Sequence, residues 1–276
     1  MSLDVTDAEP RLPTELEREV FETTALMYPR EIPTLLRVAR RVLVWIEPVL
    51  YRVVRVNMDN DALMDGVLDA IKSKPADFFH KAVRHLCLDS YVTEDVGLPI
   101  LEVCTGVVDL ALNQQLASPT LLPVLAKMSL RRLSTSLHSL FDGEIDILHP
   151  LFTFLTHLDL LDCTNHDVTE TLAQIPSFAA LTHLALDWVR MDMAETLLEN
   201  CPRLELLLCL YDELDYKDAQ TPHVYDIRFV IGQYDRDYRA DWEAGAKGLP
   251  HLWSLGDDFV ARKRRGAIEA TCYWIQ

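Results

Sequence analysis

A leucine phrase returns through the middle of the chain at nearly constant spacing, and no other feature restricts the possible fold as much. It reads Val83-Arg84-His85-Leu86-Cys87-Leu88-Asp89, then Val107-Val108-Asp109-Leu110-Ala111-Leu112-Asn113. Leu130-Arg131-Arg132-Leu133-Ser134-Thr135 and Leu155-Thr156-His157-Leu158-Asp159-Leu160 follow. The last copies are Leu181-Thr182-His183-Leu184-Ala185-Leu186-Asp187 and Leu204-Glu205-Leu206-Leu207-Leu208-Cys209. With Leu86, Leu110, Leu133, Leu158, Leu184 and Leu207 as equivalent positions, successive copies lie 24, 23, 25, 26 and 23 residues apart. The closing Leu-x-Leu has the period-two alternation of a short strand. One such strand cannot bury its leucines alone, so neighbours must stack and share a core.

A period of roughly 20–29 residues with an LxxLxL core is the signature of leucine-rich repeats. The fold class expected is therefore α/β: a leucine-rich-repeat solenoid over residues 57–231, with a small helical module at 12–56 and a C-terminal capping segment at 232–276. Segments such as 98–103 and 121–126 leave room for a helix or irregular turn between strands, and 224–231 reads as one more strand. Beyond Gly232, Trp242, Trp253, Phe259 and Trp274 lie among many charges, as suits a cap over an apolar cross-section. A helix is predicted over 257–265, ended by Gly266, with acids leading and bases trailing in accord with the macrodipole. Its run Arg262-Lys263-Arg264-Arg265 reads as a solvated helix end or as a nuclear-import or phosphate patch.

Stacking the strands sorts the remaining strand residues into columns on the second face. One column holds His85, Asp109, Arg132, His157, His183 and Leu206, and the next Cys87, Ala111, Ser134, Asp159, Ala185 and Leu208. A third holds Asp89, Asn113, Ser136, Leu161, Asp187 and Leu210. The polar members His85, Asp89, Asp109, Asn113, Arg132, His157, Asp159, His183 and Asp187 are the candidate face for an unknown target protein. Leu206, Leu208 and Leu210 either anchor that partner or lie beneath the tail. Three histidines share one column, but no carboxylate or thiol is placed to complete a ligand set, so no metal is expected.

The N-terminal module lacks the repeat. Thr14-Glu15-Leu16-Glu17 has capping-box spacing, with Leu16, Val20 and Thr24 on one face of a first helix and Phe21 beside it. A second helix is predicted from about Thr34 to Pro48, carrying Leu35, Ala39, Val42, Leu43 and Ile46 in one stripe.

Leu12-Pro13, Leu16, Val20-Phe21, then Leu36-Arg37-Val38-Ala39-Arg40-Arg41-Val42 and Trp45, resemble an F-box. Glu47-Pro48-Val49-Leu50-Tyr51-Arg52 is similar to the segment that leaves the F-box in a group of fungal F-box proteins, and the stretch from Phe259 to Ile275 is similar to their tail. The resemblance implies an F-box-like module that docks an Skp-type adaptor of a cullin (SCF) ubiquitin ligase, while the rest of the chain holds the protein to be ubiquitinated. Leu12 and Pro13 would then enter an apolar pocket of the adaptor, with Leu16, Val20, Phe21, Val38 and Trp45 shaping the same surface. The alternative is a leucine-rich-repeat scaffold that binds partners with no ligase role.

Composition closes off other classes. The formal charge of the 276 residues is −17, unsuited to nucleic acid, whose phosphates need a basic surface. No apolar run approaches the roughly 18 residues of a membrane span. The acidic opening Met1-Ser2-Leu3-Asp4 differs from a secretory leader, and the 6 cysteines include no CxxC, so a cytoplasmic or nuclear protein is expected. No P-loop, GxGxxG, GxSxG or HExxH occurs, and 58–63 opens like a calcium loop but puts Leu63 where an oxygen ligand is required. Cys163-Thr164-Asn165-His166-Asp167 gathers hydrolase residue types, though in one surface turn. No enzyme and no cofactor are expected.

Overall fold

The computed structural model describes residues 12–57, 61–75, 77–89, 91–161, 168–187, 190–211, 224–233 and 238–275. They divide into two compact units, one ending at Arg52 and one beginning at Val53.

In the first unit, helices Thr14–Met27 (α1), Ile32–Leu35 (α2) and Arg40–Leu50 (α3) enclose Ala25, Ile32, Val42 and Ile46, with Phe21, Leu35, Ala39 and Trp45 packed around them. The expected second helix is broken: Ala39 is extended (φ −160°), so the stripe is shared between α2 and α3 instead of running along one helix. The capping box is also absent. Helix α1 starts without a side-chain cap, and Glu17 takes a bidentate pair with Arg41 on α3 instead (3.0 and 2.7 Å).

The second unit alternates strand and helix. Val53–Val56 (β1), Asp61–Ser73 (α4), Phe78–Ala82 (α5), His85–Leu88 (β2), Glu94–Val103 (α6), Asp109–Leu112 (β3), Leu122–Leu125 (α7) and Arg132–Thr135 (β4) come first. Leu137–Phe141 (α8), His157–Leu160 (β5), Thr169–Gln174 (α9), His183–Asp187 (β6), Met191–Asn200 (α10), Leu206–Tyr211 (β7) and Phe229–Gln233 (β8) follow. Tyr238–Ala246 (α11) and Leu252–Arg264 (α12) end the series. Because β1 pairs with β2, the boundary between the two units falls ahead of Val53.

The strands form one eight-stranded sheet in the order β1 to β8, every neighbouring pair parallel. Leu86, Leu110, Leu133, Leu158, Leu184 and Leu207 are paired in succession, and each is at most 2% exposed. Burying a leucine this fully stabilises by about 1.5–3 kcal/mol. The connecting helices complete that side of the core with Ile100, Leu101, Leu125, Leu140 and Leu197, all buried. Where α5 meets the loop before β3, a Cβ on Gly106 would lie 1.8 Å from the His80 carbonyl oxygen, so only glycine fits.

The second face of the sheet is covered as well, and this corrects the expected leucine-rich-repeat solenoid with a terminal cap. The chain is an α/β fold on a single all-parallel sheet alternating with helices. A solenoid leaves one strand face open as a concave surface, whereas here α11 and α12 lie across it. Leu206, Leu208 and Leu210 sit under Phe259 and Val260, with Leu252 and Trp253 against them, so the tail covers them. Gly256 permits the close approach: a Cβ there would stand 2.6 Å from Leu206 Cδ2. Strands buried on both faces are the arrangement of parallel-sheet α/β domains.

Two tail expectations also shift. The last strand is Phe229–Gln233, because Asp226 turns the chain by accepting from the Arg228 backbone N–H at 2.8 Å, and Arg228 donates to the Leu198 and Cys201 carbonyls at the end of α10. The basic run is not uniformly solvated. Lys263 is 5% exposed, donates to the Phe229 carbonyl at 2.8 Å and lies over the Phe259 and Tyr273 rings. Burial pulls its ammonium down to about 8. Beyond the run, Gly266 adopts φ +69°. Residues 273–275 then run along the free edge of β8, with Ile231 N–H donating to the Tyr273 carbonyl and Ile275 N–H to that of Ile231.

Candidate functional site

The strand period places three acidic side chains on the covered face, and each is met by the tail. On β3, Asp109 accepts from the Trp242 indole N–H at 3.1 Å, with His85 Nδ1 at 3.1 Å and Arg132 at 3.7 Å. Beyond β2, Asp89 is 4% exposed and held between Arg55 (3.1 Å) and Arg239, and Arg55 also faces Glu243 at 3.7 Å. On β5, Asp159 accepts from Ser134 at 2.9 Å and Tyr238 at 2.5 Å, both on Oδ2.

Asp159 differs from the other two because no cation pairs with it among the described residues. Its Oδ1 is buried and makes no hydrogen bond among the described residues. Burial pushes its carboxyl up to about 6, and nearby Asp241 adds to the shift, while the hydroxyl bonds to Oδ2 oppose it. Asp241 is itself raised by burial and accepts from the Leu252 backbone N–H (3.0 Å) at the start of α12. Between these two carboxyls lies a cavity of about 40 Å³, walled by Trp242, Trp253, Tyr238, His157 and His251, with Arg132 at its side.

The repeated Thr-His phrase is an internal ladder. Thr156 donates to the Arg131 carbonyl at 3.0 Å and lies 2.9 Å from His157 Nδ1; Thr182 donates to the Thr156 carbonyl at 3.3 Å and lies 2.7 Å from His183 Nδ1. Each hydroxyl spends its proton on the preceding strand and fixes the next ring. The two imidazoles stack at 4.0 Å with Trp253 edge-on to both, and His183 Nε2 lies 2.9 Å from the Asp257 carboxylate on α12. Burial, then His183, then Arg132 push His157 down to about 3, so it is neutral near pH 7. The stacked rings, each with its Nδ1 at a threonine hydroxyl, pack the two strands against Trp253.

Among the residues expected to form an open target face, His85, Asp89, Asp109, Asp159 and His183 are buried. Arg132 and His157 are half-buried at the cavity. Asn113 is also half-buried, its amide donating to the Asp89 carbonyl at 2.6 Å, and Asp187 is half-buried at the end of β6. The face is thus an interior layer, corrected from a surface by the tail lying on it. The tail residues that complete it, Tyr238, Asp241, Trp242, His251 and Trp253, carry no repeat; their one signal was the concentration of aromatics among charges beyond Gly232.

A second hollow, of about 480 Å³, opens at the carboxyl ends of β2 and β3, where Asp89, Tyr91, Asn113, Gln115, Tyr238 and Arg239 converge. Cys87 at its floor is no nucleophile, since burial first and then Asp89 push the thiol up to about 12. The Cys163–His166 turn, the start of the calcium-like loop and the acidic stretches at 212–215 and 234–237 lie outside the described residues. Among the described residues no helix is long and apolar enough to cross a membrane.

Of the residues assigned to adaptor docking, Leu12 (47%), Leu16 (49%), Val20 (54%) and Val38 (57%) are exposed, and so is Pro13. Phe21 and Trp45 pack against the core of the first unit instead. No family model matches the chain, and no curated protein matches it.

Proposed function

We propose that the chain is a non-catalytic interaction adaptor whose N-terminal helical unit docks an Skp-type adaptor of a cullin ubiquitin ligase, while the sheet unit holds the protein to be ubiquitinated. The observation that carries this reading is the large apolar side chains left in water on so small a unit. Among its described residues only Ala25, Ile32, Val42 and Ile46 are buried, yet Leu12, Leu16, Val20 and Val38 are each about half exposed. Large apolar side chains left exposed are the material of interaction surfaces, and these four belong to the F-box-like pattern. The target would not meet the strand columns, which the tail occupies, but the parts of the sheet unit outside them.

Co-purification with an Skp-type adaptor tests the proposal, comparing the natural chain with Leu12→Ala/Pro13→Ala. Both positions are exposed, so the variant should fold normally and lose recovery of the adaptor by tenfold or more. Equal recovery from both proteins, or none from either, overturns the ligase role and leaves a scaffold that binds partners without it.

A further inference from the structure

We propose that the cavity between the central strands and α11–α12 is a binding site for a primary alkylammonium group, anchored on Asp159. Five observations converge on that chemistry. Asp159 is 6% exposed, and its unpartnered Oδ1 belongs to a side chain lining the cavity. A buried carboxylate oxygen without a donor is costly, and more so when the group is charged. A ligand that brings N–H donors and positive charge removes that cost.

The walls suit a cation. Trp242, Trp253 and Tyr238 line the cavity, and aromatic faces attract ammonium groups. The charged and titratable groups among the described lining residues are as follows. Asp241 adds negative charge from α11; Asp109 does so from β3 but is met by Arg132, whose guanidinium is 3.7 Å away. His157 on β5 is held neutral, and His251 contributes an Nε2 that makes no hydrogen bond among the described residues. Among the described lining residues, negative groups exceed positive ones whenever Asp159 is ionised.

Size selects within the class. The cavity of about 40 Å³ admits a small group, not a bulky one. That suits the terminal CH₂–CH₂–NH₃⁺ of an alkylamine, whereas a quaternary ammonium carries no N–H to give to Oδ1. Tyr238, Asp241, His251 and Trp253 at the cavity are half-exposed, which leaves a way in from solvent. The inference does not depend on what the N-terminal unit binds.

The test is a titration of the full chain with n-propylammonium chloride at constant ionic strength, following the tryptophan indole N–H signals by NMR. Saturable shifts are expected near pH 7.5, with half-saturation at least tenfold higher in Asp159→Asn. Because Asp159 titrates at about 6, the wild type should also bind about tenfold more weakly near pH 5. Neither n-propanol nor tetramethylammonium should bind. Nα-acetyl-lysine-N-methylamide separates the sources: if it binds too, the natural ligand is a lysine side chain of another protein, and if only n-propylammonium binds, it is a free amine. No saturable shift in the wild type, equal binding by n-propanol, or unchanged binding by folded Asp159→Asn overturns the proposal. If Asp159→Asn does not fold, the wild-type pH profile and the n-propanol titration decide.

Discussion

Trp242 donates its indole N–H to Asp109 at 3.1 Å across 133 residues of chain, joining the third strand to the tail that covers it. Asp109 is 4% exposed, so the bond works in a dry setting where it gains strength. Trp242→Phe keeps most of the ring and removes the donor. Urea unfolding should show a loss of about 1.5–3 kcal/mol, the usual worth of a hydrogen bond to a charged group. An unchanged midpoint would show that His85 and Arg132 alone satisfy Asp109.

Thr135 interrupts a buried apolar column. It pairs in register with Leu160, is 0% exposed, and its hydroxyl makes no hydrogen bond among the described residues. Thr135→Val replaces the hydroxyl with a methyl of similar size, so stability should rise by about 1–3 kcal/mol. Calorimetry checks this, and a lower melting temperature would reveal a partner for the hydroxyl.

Acid should act on His157 and Asp159 in opposite directions. His157 falls from its ordinary 6.5 to about 3, so between those values the unfolded chain binds the extra proton and stability drops as pH falls. Asp159 rises from 3.8 to about 6, so between those values the folded chain binds the extra proton and stability drops as pH rises. The two cancel over the shared window from about 4 to 6. Relative to wild type, Asp159→Asn should lose stability on acidification there and His157→Gln should gain it. Three parallel stability-against-pH curves would refute both assignments.

Two glycines should respond unequally to alanine. At Gly106 the added Cβ meets a backbone carbonyl oxygen, which cannot move without α5; at Gly256 it meets the end of the Leu206 side chain. Gly106→Ala should cost about 3 kcal/mol or more, and Gly256→Ala about 1 kcal/mol, in line with overpacking. Equal unfolding midpoints would contradict the stated approach at His80.

The leucine phrase foretold more than the existence of strands. Its spacing aligned Leu86 through Leu207, and the structure pairs those residues in that register. A one-residue slip would turn every leucine to the opposite face, so the alternation leaves no freedom. The same columns misled about function. Asp109 and Asp159 were correctly placed side by side with their neighbours, but read as solvent-facing, because nothing in the repeat says what lies on its second face. The N-terminal stripe was legible too, while the break at Ala39 was not, since every residue of 34–46 is compatible with helix.

Local periodicity thus settled strands β2 to β7, their order of pairing and the leucine core, because each copy needs only its neighbours to stay dry, but it did not settle β1. The layer over the second face was decided in three dimensions. Tyr238 reaches Asp159 across 79 residues and Trp242 reaches Asp109 across 133, contacts that no period encodes. They turned an expected open surface into an interior in which Asp159 Oδ1 makes no hydrogen bond among the described residues.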